Sequence, residues 1–596
     1  MRRTPLRPLA HVISAREGGE NPDLIEARER AKRNQAAQVK TRVRAENRLL
    51  ILGLAFVLGF GAVGGKMAIL ASSKAEEPAE YTAASQIVNQ RADIIDRNGN
   101  VLATNMSTQA LYAQPHLMVD PKKAADDLQL IFPELDHDRI ERDFTGGKRK
   151  FVWVKKRLSP EQRQRVYDLG EPGLLFGNRE MRLYPNGKLA AHILGGTRFG
   201  EEGVRAAEVI GVAGVEKYFD KELRDLTLNN APLQLSIDLS AQAATRQVLE
   251  DGMRYMNAKS ASAILMDVYT GEILSMVSLP DFDPNDRPRN AVSGDPSESP
   301  LFNRAAQGRY ELGSVFKIFT AATTLENGLG TPKTMVDTKS FKLGSFRVKD
   351  FRDYGKELSV EDVIMKSSNI GTARLALEAG AEAQQRMLKA LGFFEPSPIE
   401  LLEAAHSKPL VPKDWTELST VTISYGHGIS VTPLHLASAY ASLANGGFKV
   451  NPTLRRLDTT DARGERVISA QTAQQLVSML RRVVGEEKGT ATMGDVAGYE
   501  VAGKTGTADK LKPTGGYYEG KVISTFASVF PASKPKYALV VSLDEPEIEA
   551  AGEARRTAGW TTVPVAAEMI SRIAPILNLR PIARKEQIQY TSTSSQ

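Results

Sequence analysis

No cysteine occurs among the 596 residues. That absence excludes disulfides, thiolate nucleophiles and cysteine-based metal sites. It leaves the compartment open, since exported proteins can also do without cysteine. Histidine is scarce, at seven, and none falls into a metal-ligand spacing such as H-E-x-x-H, so no metal and no other cofactor is expected. Excess charge is small as well, at +6. A nucleic-acid binder would carry a basic stripe through its folded part; here the obvious basic cluster lies near the N-terminus, between Arg28 and Arg48, so no nucleic-acid partner is expected. Long hydrophobic runs are nearly lacking too, with a single exception.

That exception is Leu49 to Gly65, a charge-free stretch that Lys66 interrupts and that continues to Ala71. At about 1.5 Å per residue, 49–71 is long enough to cross a bilayer as a helix, with Lys66 reaching towards the interface. A buried core helix is the alternative. Basic residues precede the run and Glu76, Glu77 and Glu80 follow it. The positive-inside rule therefore puts the N-terminus in the cytoplasm and everything after 71 outside. The long segment before the run and the want of an A-x-A site predict an uncleaved anchor rather than a signal peptide. The basic tail could also touch anionic lipid.

Hydrophobic residues make up 42% and charged residues 25%, a globular composition, and the length calls for two or three domains. The expected division is a cytoplasmic basic tail (1–48), an anchor (49–71), a non-catalytic region (72–231), a catalytic domain (232–580) and a disordered tail (581–596). Residues 72–90 read as a linker. The Asn98-Gly99 pair predicts a hairpin turn between apolar runs. Leu233–Ile237 reads as a strand, 241–255 as a helix, and SAILMDVYTGEILSMVSL as a hairpin turning at Thr270-Gly271. Helical material is expected from about 312 to 445, then strands at 501–507, 522–530 and 537–543 and a helix at 564–576. Strands at both ends with helices between them predict an α+β fold, one antiparallel sheet covered by helices.

Three short groups carry chemistry. Ser314-Val-Phe-Lys317 is an S-x-x-K, a pattern that chance supplies about once or twice in a chain this long; Ser533–Lys536 is a second copy, with Pro535 inside it and no apolar helix behind. Ser314 instead opens an apolar segment, so Lys317, three residues on, should share its helix face and reach its hydroxyl. Burial should depress the lysine and let it act as a base. The plainer alternative is a serine cap with a snorkelling lysine. Ser367-Ser368-Asn369 falls where one helix, opened by Ser359-Val-Glu-Asp362, gives way to another; its hydroxyl could relay a proton and its amide bind a peptide carbonyl, or it is simply a polar turn. Lys504-Thr505-Gly506-Thr507 lies in a strand pattern, where glycine often marks the close approach of another backbone, suiting a strand that pairs with an extended peptide. His427, in YGHG, reads as structural.

In the order S-x-x-K, S-x-N, K-T-G these groups resemble the penicillin-binding protein and serine β-lactamase superfamily. NRAAQGRYELGSVFKIF, KSSNIGTARLAL, SYGHGISVTPLHLASAYASLANGG and VAGKTGTA are similar to the class B transpeptidases. RADIIDRNGNVLATN and GVAGVEKYFDKEL resemble that family's non-catalytic pedestal, and the likeness runs from about 86 to 578. One departure stands out: the family usually has proline two residues before the nucleophile, and this chain has Leu312.

The resemblance implies acyl transfer on peptidoglycan stem peptides. Ser314 would be the nucleophile, Lys317 its base, Ser367 a proton relay and Asn369 a donor-orienting group; Lys504 with Thr505, Gly506 and Thr507 would hold the carboxylate end. The backbone N–H groups of Ser314 and Thr507 would form the oxyanion hole. It further implies covalent inhibition by β-lactams and, for the septal FtsI-type member that the chain most resembles, membrane division partners including a polytopic glycosyltransferase. An elongation-type transpeptidase, a carboxypeptidase or β-lactamase-like hydrolase, and a membrane scaffold stay open as alternatives.

Overall fold

The computed structural model describes residues 13–14, 17–19, 21–72, 91–147, 149–199, 209–288, 295–512 and 515–582. The expected linker after Ser72 and the tail beyond 582 lie outside the described residues. Two compact units divide the chain, 1–87 and 88–596.

In the first unit one continuous helix runs Pro22–Ser72. Its segment Glu46–Ala68 is long and apolar enough to cross a membrane, consistent with the expected span. The basic stretch before it is helical from Pro22, in the same rod.

The second unit begins with the predicted hairpin. Asp96 Oδ1 accepts from the N–H groups of Asn98 and Asn100, both at 2.8 Å, and Gly99 takes φ +87, a left-handed backbone that costs glycine least. The strand Val101–Ala113 that follows pairs antiparallel with Leu174–Leu183 and Val152–Leu158. The helices Pro121–Ile131, His137–Thr145 and Pro160–Tyr167 close over its far end, burying Leu111, Phe132, Ile140 and Phe144 in a small core of their own. At the near end Arg91 bonds Glu216 at 2.6 Å and Asp220 at 2.8 Å, and Arg182 bonds Glu216 at 2.7 Å, all four buried. Removing carboxylates from water is offset here by two guanidinium partners. Ile94–Ile95 pairs parallel with Leu233–Gln234, so Ile94 and Leu102 share one hydrophobic core with Ile264, Phe526 and Val540.

Five antiparallel strands form the central sheet, in the order 502–511, 517–530, 537–544, 260–267, 273–279. Every residue of Ile273–Leu279 is buried, so both sheet faces are covered. The helices Leu239–Tyr255 and Thr562–Ile576 pack on each other and on the sheet, and Pro433–Ala444 packs on strands 260–267 and 537–544.

One expectation needs correcting. The span 312–445 is not helical throughout: Met335–Asp337 pairs with Glu357–Ser359, and Phe341–Leu343 with Phe346–Val348 across a turn where Gly344 has φ +58. Phe341, Leu343, Phe346 and Val348 alternate with polar residues on either side of Gly344-Ser345, which is strand periodicity.

Candidate active site

Ser314 lies in a single 3-10 turn, Gly313–Phe316, and the α-helix begins only at Lys317, running to Glu326. Backbone approaches that only glycine allows fix this turn. Gly313 takes φ +62, and a Cβ there would sit 2.7 Å from Thr507 O; a Cβ on Gly426 would sit 2.1 Å from Gly313 O. Gly313 N–H donates to Gly426 O at 3.2 Å, and the buried Tyr440 hydroxyl donates to Val315 O at 2.9 Å. Leu312 is fully buried with φ −101. Proline holds φ near −65°, so the usual family residue would have to rotate this backbone by roughly 35°, and the turn geometry here is leucine's own. Next to it, buried Glu311 accepts from Gly428 N–H at 2.7 Å and from the Tyr517 hydroxyl at 2.9 Å.

Ser367 closes the helix Val360–Lys366 with a left-handed backbone, φ 63 and ψ 43. A non-glycine residue there is strained and persists only where its surroundings hold it. Ser368 caps the next helix, Asn369–Ala379, accepting from Gly371 N–H. Asp350 locks the turn from outside, accepting from Ser368 Oγ at 2.6 Å and from Ile370 N–H at 3.0 Å. Asn369 Nδ2 donates to Lys349 O at 3.1 Å.

Strand 502–511 is a sheet edge, paired only with 517–530. A Cβ on Gly506 would lie 2.2 Å from Leu312 O, so the close approach expected of the K-T-G glycine is made by the nucleophile turn. Lys504 points inward and is fully buried.

The three groups meet at one hydroxyl. Lys504 Nζ donates to Ser367 Oγ at 2.9 Å and to Thr505 O at 3.1 Å. Lys317 Nζ reaches the same Ser367 Oγ at 3.1 Å and also Ser367 O. Lys317 therefore does not bond Ser314, as its spacing predicts, but the facing turn: the left-handed Ser367 presents both its oxygens to the ammonium, leaving the half-buried Ser314 hydroxyl without a hydrogen bond among the described residues. Burial pushes Lys317 well below the usual lysine value, the charge of Lys504 pushes it the same way, and Asp350 opposes. Burial alone lowers Lys504 to about 7.

Around this centre, Thr505 Oγ1 shares a hydrogen bond with Thr490 Oγ1 at 2.8 Å, and Thr507 Oγ1 accepts from Ala558 N–H at 3.0 Å. His427 packs its ring against Tyr425 and Tyr517. A cleft of about 790 Å³ lies at the far end of the edge strand, lined by Tyr310, Glu311, Asp509, Lys510 and Tyr518 and by none of Ser314, Lys317, Ser367 or Lys504. The second S-x-x-K copy falls in the turn between strands 517–530 and 537–544, with no helix behind it. Sequence reasoning misses Asp350, Glu311, Tyr440 and Thr490, since each acts through contacts far along the chain.

Comparison with known proteins agrees with this geometry. Residues 261–566 match the penicillin binding protein transpeptidase domain and residues 86–225 the penicillin-binding protein dimerisation domain. A probable peptidoglycan D,D-transpeptidase FtsI of Caulobacter vibrioides is 34% identical over 566 residues, covering 94% of this chain and 92% of that one. The peptidoglycan D,D-transpeptidase FtsI of Escherichia coli K12 is 28% identical over 529 residues, covering 84% and 85%. The crystal structure of penicillin binding protein 3 from Mycobacterium tuberculosis, complexed with aztreonam, superposes with a TM-score of 0.61 at 26% identity, covering 83% of this chain and 97% of that one. The chain belongs to the penicillin-binding transpeptidases. Within them it is a class B protein of the FtsI type, with a pedestal and a transpeptidase domain.

Proposed function

We propose that this chain is a peptidoglycan D,D-transpeptidase of the division septum, held in the inner membrane by 49–71 with its catalytic part outside, and that Ser314 is its nucleophile. One observation carries the reading: two buried lysines converge on Ser367 Oγ, one of them three residues after a serine that has no competing hydrogen bond among the described residues. Buried lysines depressed by desolvation are the groups able to hold and pass a proton near neutral pH.

The donor stem lies along the open edge of strand 502–511 as an added strand, within reach of the Asn369 amide. Lys317 in its neutral form takes the Ser314 proton as Oγ attacks the carbonyl carbon between the two terminal D-alanines. The developing oxyanion falls to the N–H groups of Ser314 and Thr507, whose neighbourhood is supported by the Gly313–Thr507 approach. The proton passes through the Ser367 hydroxyl to the leaving D-alanine amine, the C–N bond breaks, and an ester on Ser314 remains. An amine from a second stem then attacks that ester, gives its proton back along the same path to Ser314 Oγ, and forms the cross-link. The terminal carboxylate meets the Thr505 and Thr507 hydroxyls with Gly506 between them, while Lys504, buried beneath, supplies positive charge from behind rather than touching the ligand. Division proteins of the membrane, a polytopic glycosyltransferase among them, are the partners that fit the septal reading, and 72–231 is the region that would meet them.

The test is an intact mass of the full chain after benzylpenicillin. One covalent adduct is expected on wild type and on Ser533→Ala, and none on Ser314→Ala. An unmodified wild type, or an adduct surviving Ser314→Ala, refutes the assignment. Rapid release of the adduct points to hydrolysis, and enrichment of a fluorescent fusion along the lateral wall instead of at midcell refutes the septal role.

A further inference from the structure

Residues 339–356 form a short hairpin and its return, with a strongly basic surface. Lys339, Lys342, Arg347, Lys349, Arg352 and Lys356 are all exposed, and among the described residues none is in an ion pair. The segment has only two carboxylates: Asp350 is turned inward onto Ser368 and Ile370, and Asp353 accepts from the Gly355 N–H. Two phenylalanines stand out from the same surface, Phe346 at 38% exposure and Phe351 at 84%.

A two-stranded hairpin by itself is marginal, yet this one is rooted. Val348 and Phe341 pack with Ile370, Ala373, Val421 and Tyr425. Arg374 lies 4.7 Å over the Phe341 ring, bonds Asp337 at 3.1 Å and donates to Lys339 O at 3.1 Å. These anchors lead to the helix that starts at Asn369, through Ile370, Ala373 and Arg374, and to the helix Glu417–Ser424, through Val421 and its C-cap Tyr425. Exposed aromatic rings on so firmly held a support are free to meet a ligand without any rearrangement of the fold.

Building on the transpeptidase reading, we infer that this basic, aromatic hairpin is a docking surface for the glycan–peptide strand that carries the reacting stem. The occupant is argued from charge complementarity: uncross-linked stems carry free carboxylates, which suit six unpaired cations, and sugar rings offer C–H faces that suit flat aromatic faces. The Asn369–Lys349 bond and the Asp350 contacts place the docked strand beside Ser367. The attraction is short-ranged, since charges are screened beyond about 8 Å at physiological salt, and rim charges of this sort act on association rate and salt dependence.

The test uses the full chain in detergent, soluble fluorescent glycan strands bearing uncross-linked stems, and the triple variant Lys342→Glu, Arg347→Glu, Arg352→Glu. Wild-type affinity should fall as salt rises. The triple variant should bind at least tenfold more weakly, Phe351→Ala should weaken binding several-fold, and strands with amidated carboxylates should lose the same increment. Benzylpenicillin acylation of Ser314 should stay within twofold. Unchanged strand affinity in the triple variant overturns the inference and turns this surface over to a protein partner. Acylation lost in parallel with binding also overturns it, since the hairpin would then be acting on the site itself. A wild type that binds strands but is never acylated counts against the transpeptidase reading and not against the hairpin.

Discussion

Replacing Gly506 by alanine tests the contact on which the whole site is aligned. Gly506 is not in a left-handed conformation, so alanine is acceptable to its backbone and the effect is purely steric. The new methyl would meet Leu312 O at 2.2 Å and Val315 Cγ1 at 2.9 Å. The valine side chain can rotate away. The carbonyl cannot, because its turn is held by the Gly313–Gly426 bond and by Tyr440 on Val315. Relief needs the turn and the edge strand to part by about 1 Å, with an overpacking cost of about 1–3 kcal/mol. A displacement of that size between reacting groups costs on the order of 100-fold in rate, equivalent to about 2.7 kcal/mol of barrier. Stopped-flow acylation with a fluorescent penicillin should therefore fall about 100-fold while thermal unfolding shows a folded protein. Gly464→Ala, whose nearest neighbour is Lys449 O at 3.4 Å, serves as the control and should behave as wild type. Gly506→Ala acylating within threefold of wild type would refute the claim that this approach sets the geometry of Ser314.

Other outcomes follow from the same contacts. Glu216→Ala strips buried Arg182 of its carboxylate and Arg91 of one of two, and should cost about 3 kcal/mol in urea unfolding. Burial lowers Lys504 from its ordinary 10.5 to about 7, so between those values the unfolded chain binds a proton that the native protein has released. Stability from this group is least below about pH 7 and rises with pH towards 10.5; thermal melts across that window should show the rise in wild type and a flatter profile in Lys504→Met. Asp350→Ala leaves the Ser368 hydroxyl and the Ile370 N–H without their acceptor, and should slow acylation about tenfold by loosening the strained Ser367 turn, at a stability cost of about 1–3 kcal/mol.

The parts of the fold legible in the sequence are those fixed by local rules. Asn98-Gly99 makes its turn, the Ser359 cap starts its helix, and the strands at the two ends of the catalytic region meet in one sheet. The three site groups are legible as candidates, and they do converge. What spacing alone misreads is where Lys317 points. Ser314 and Lys317 are three residues apart, but the ammonium is claimed by two oxygens of Ser367, fifty residues on, and nothing local announces that Ser367 will be left-handed. The strands within 335–359 are missed because they are three residues long, too short for their alternation to stand out amid helical surroundings. Glu311 and Tyr440 are invisible for a different reason: each acts on a backbone atom or on a hydroxyl far off in sequence, and backbone partners carry no residue signature.

The strand order has a consequence for how the chain is made. Tyr537–Asp544 lies between 517–530 and 260–267, pairing residue for residue with a strand synthesised some 270 positions earlier. The hairpin 260–279 thus exists for most of the synthesis that follows it with one flank of unpaired amides open, at a stage when the core that will cover it has not been completed. Open flanks of buried-type strands invite pairing with other chains, and long-range closure is slow. The nascent protein needs that flank shielded until its last tenth arrives, and a chain stalled before residue 537 should aggregate rather than wait.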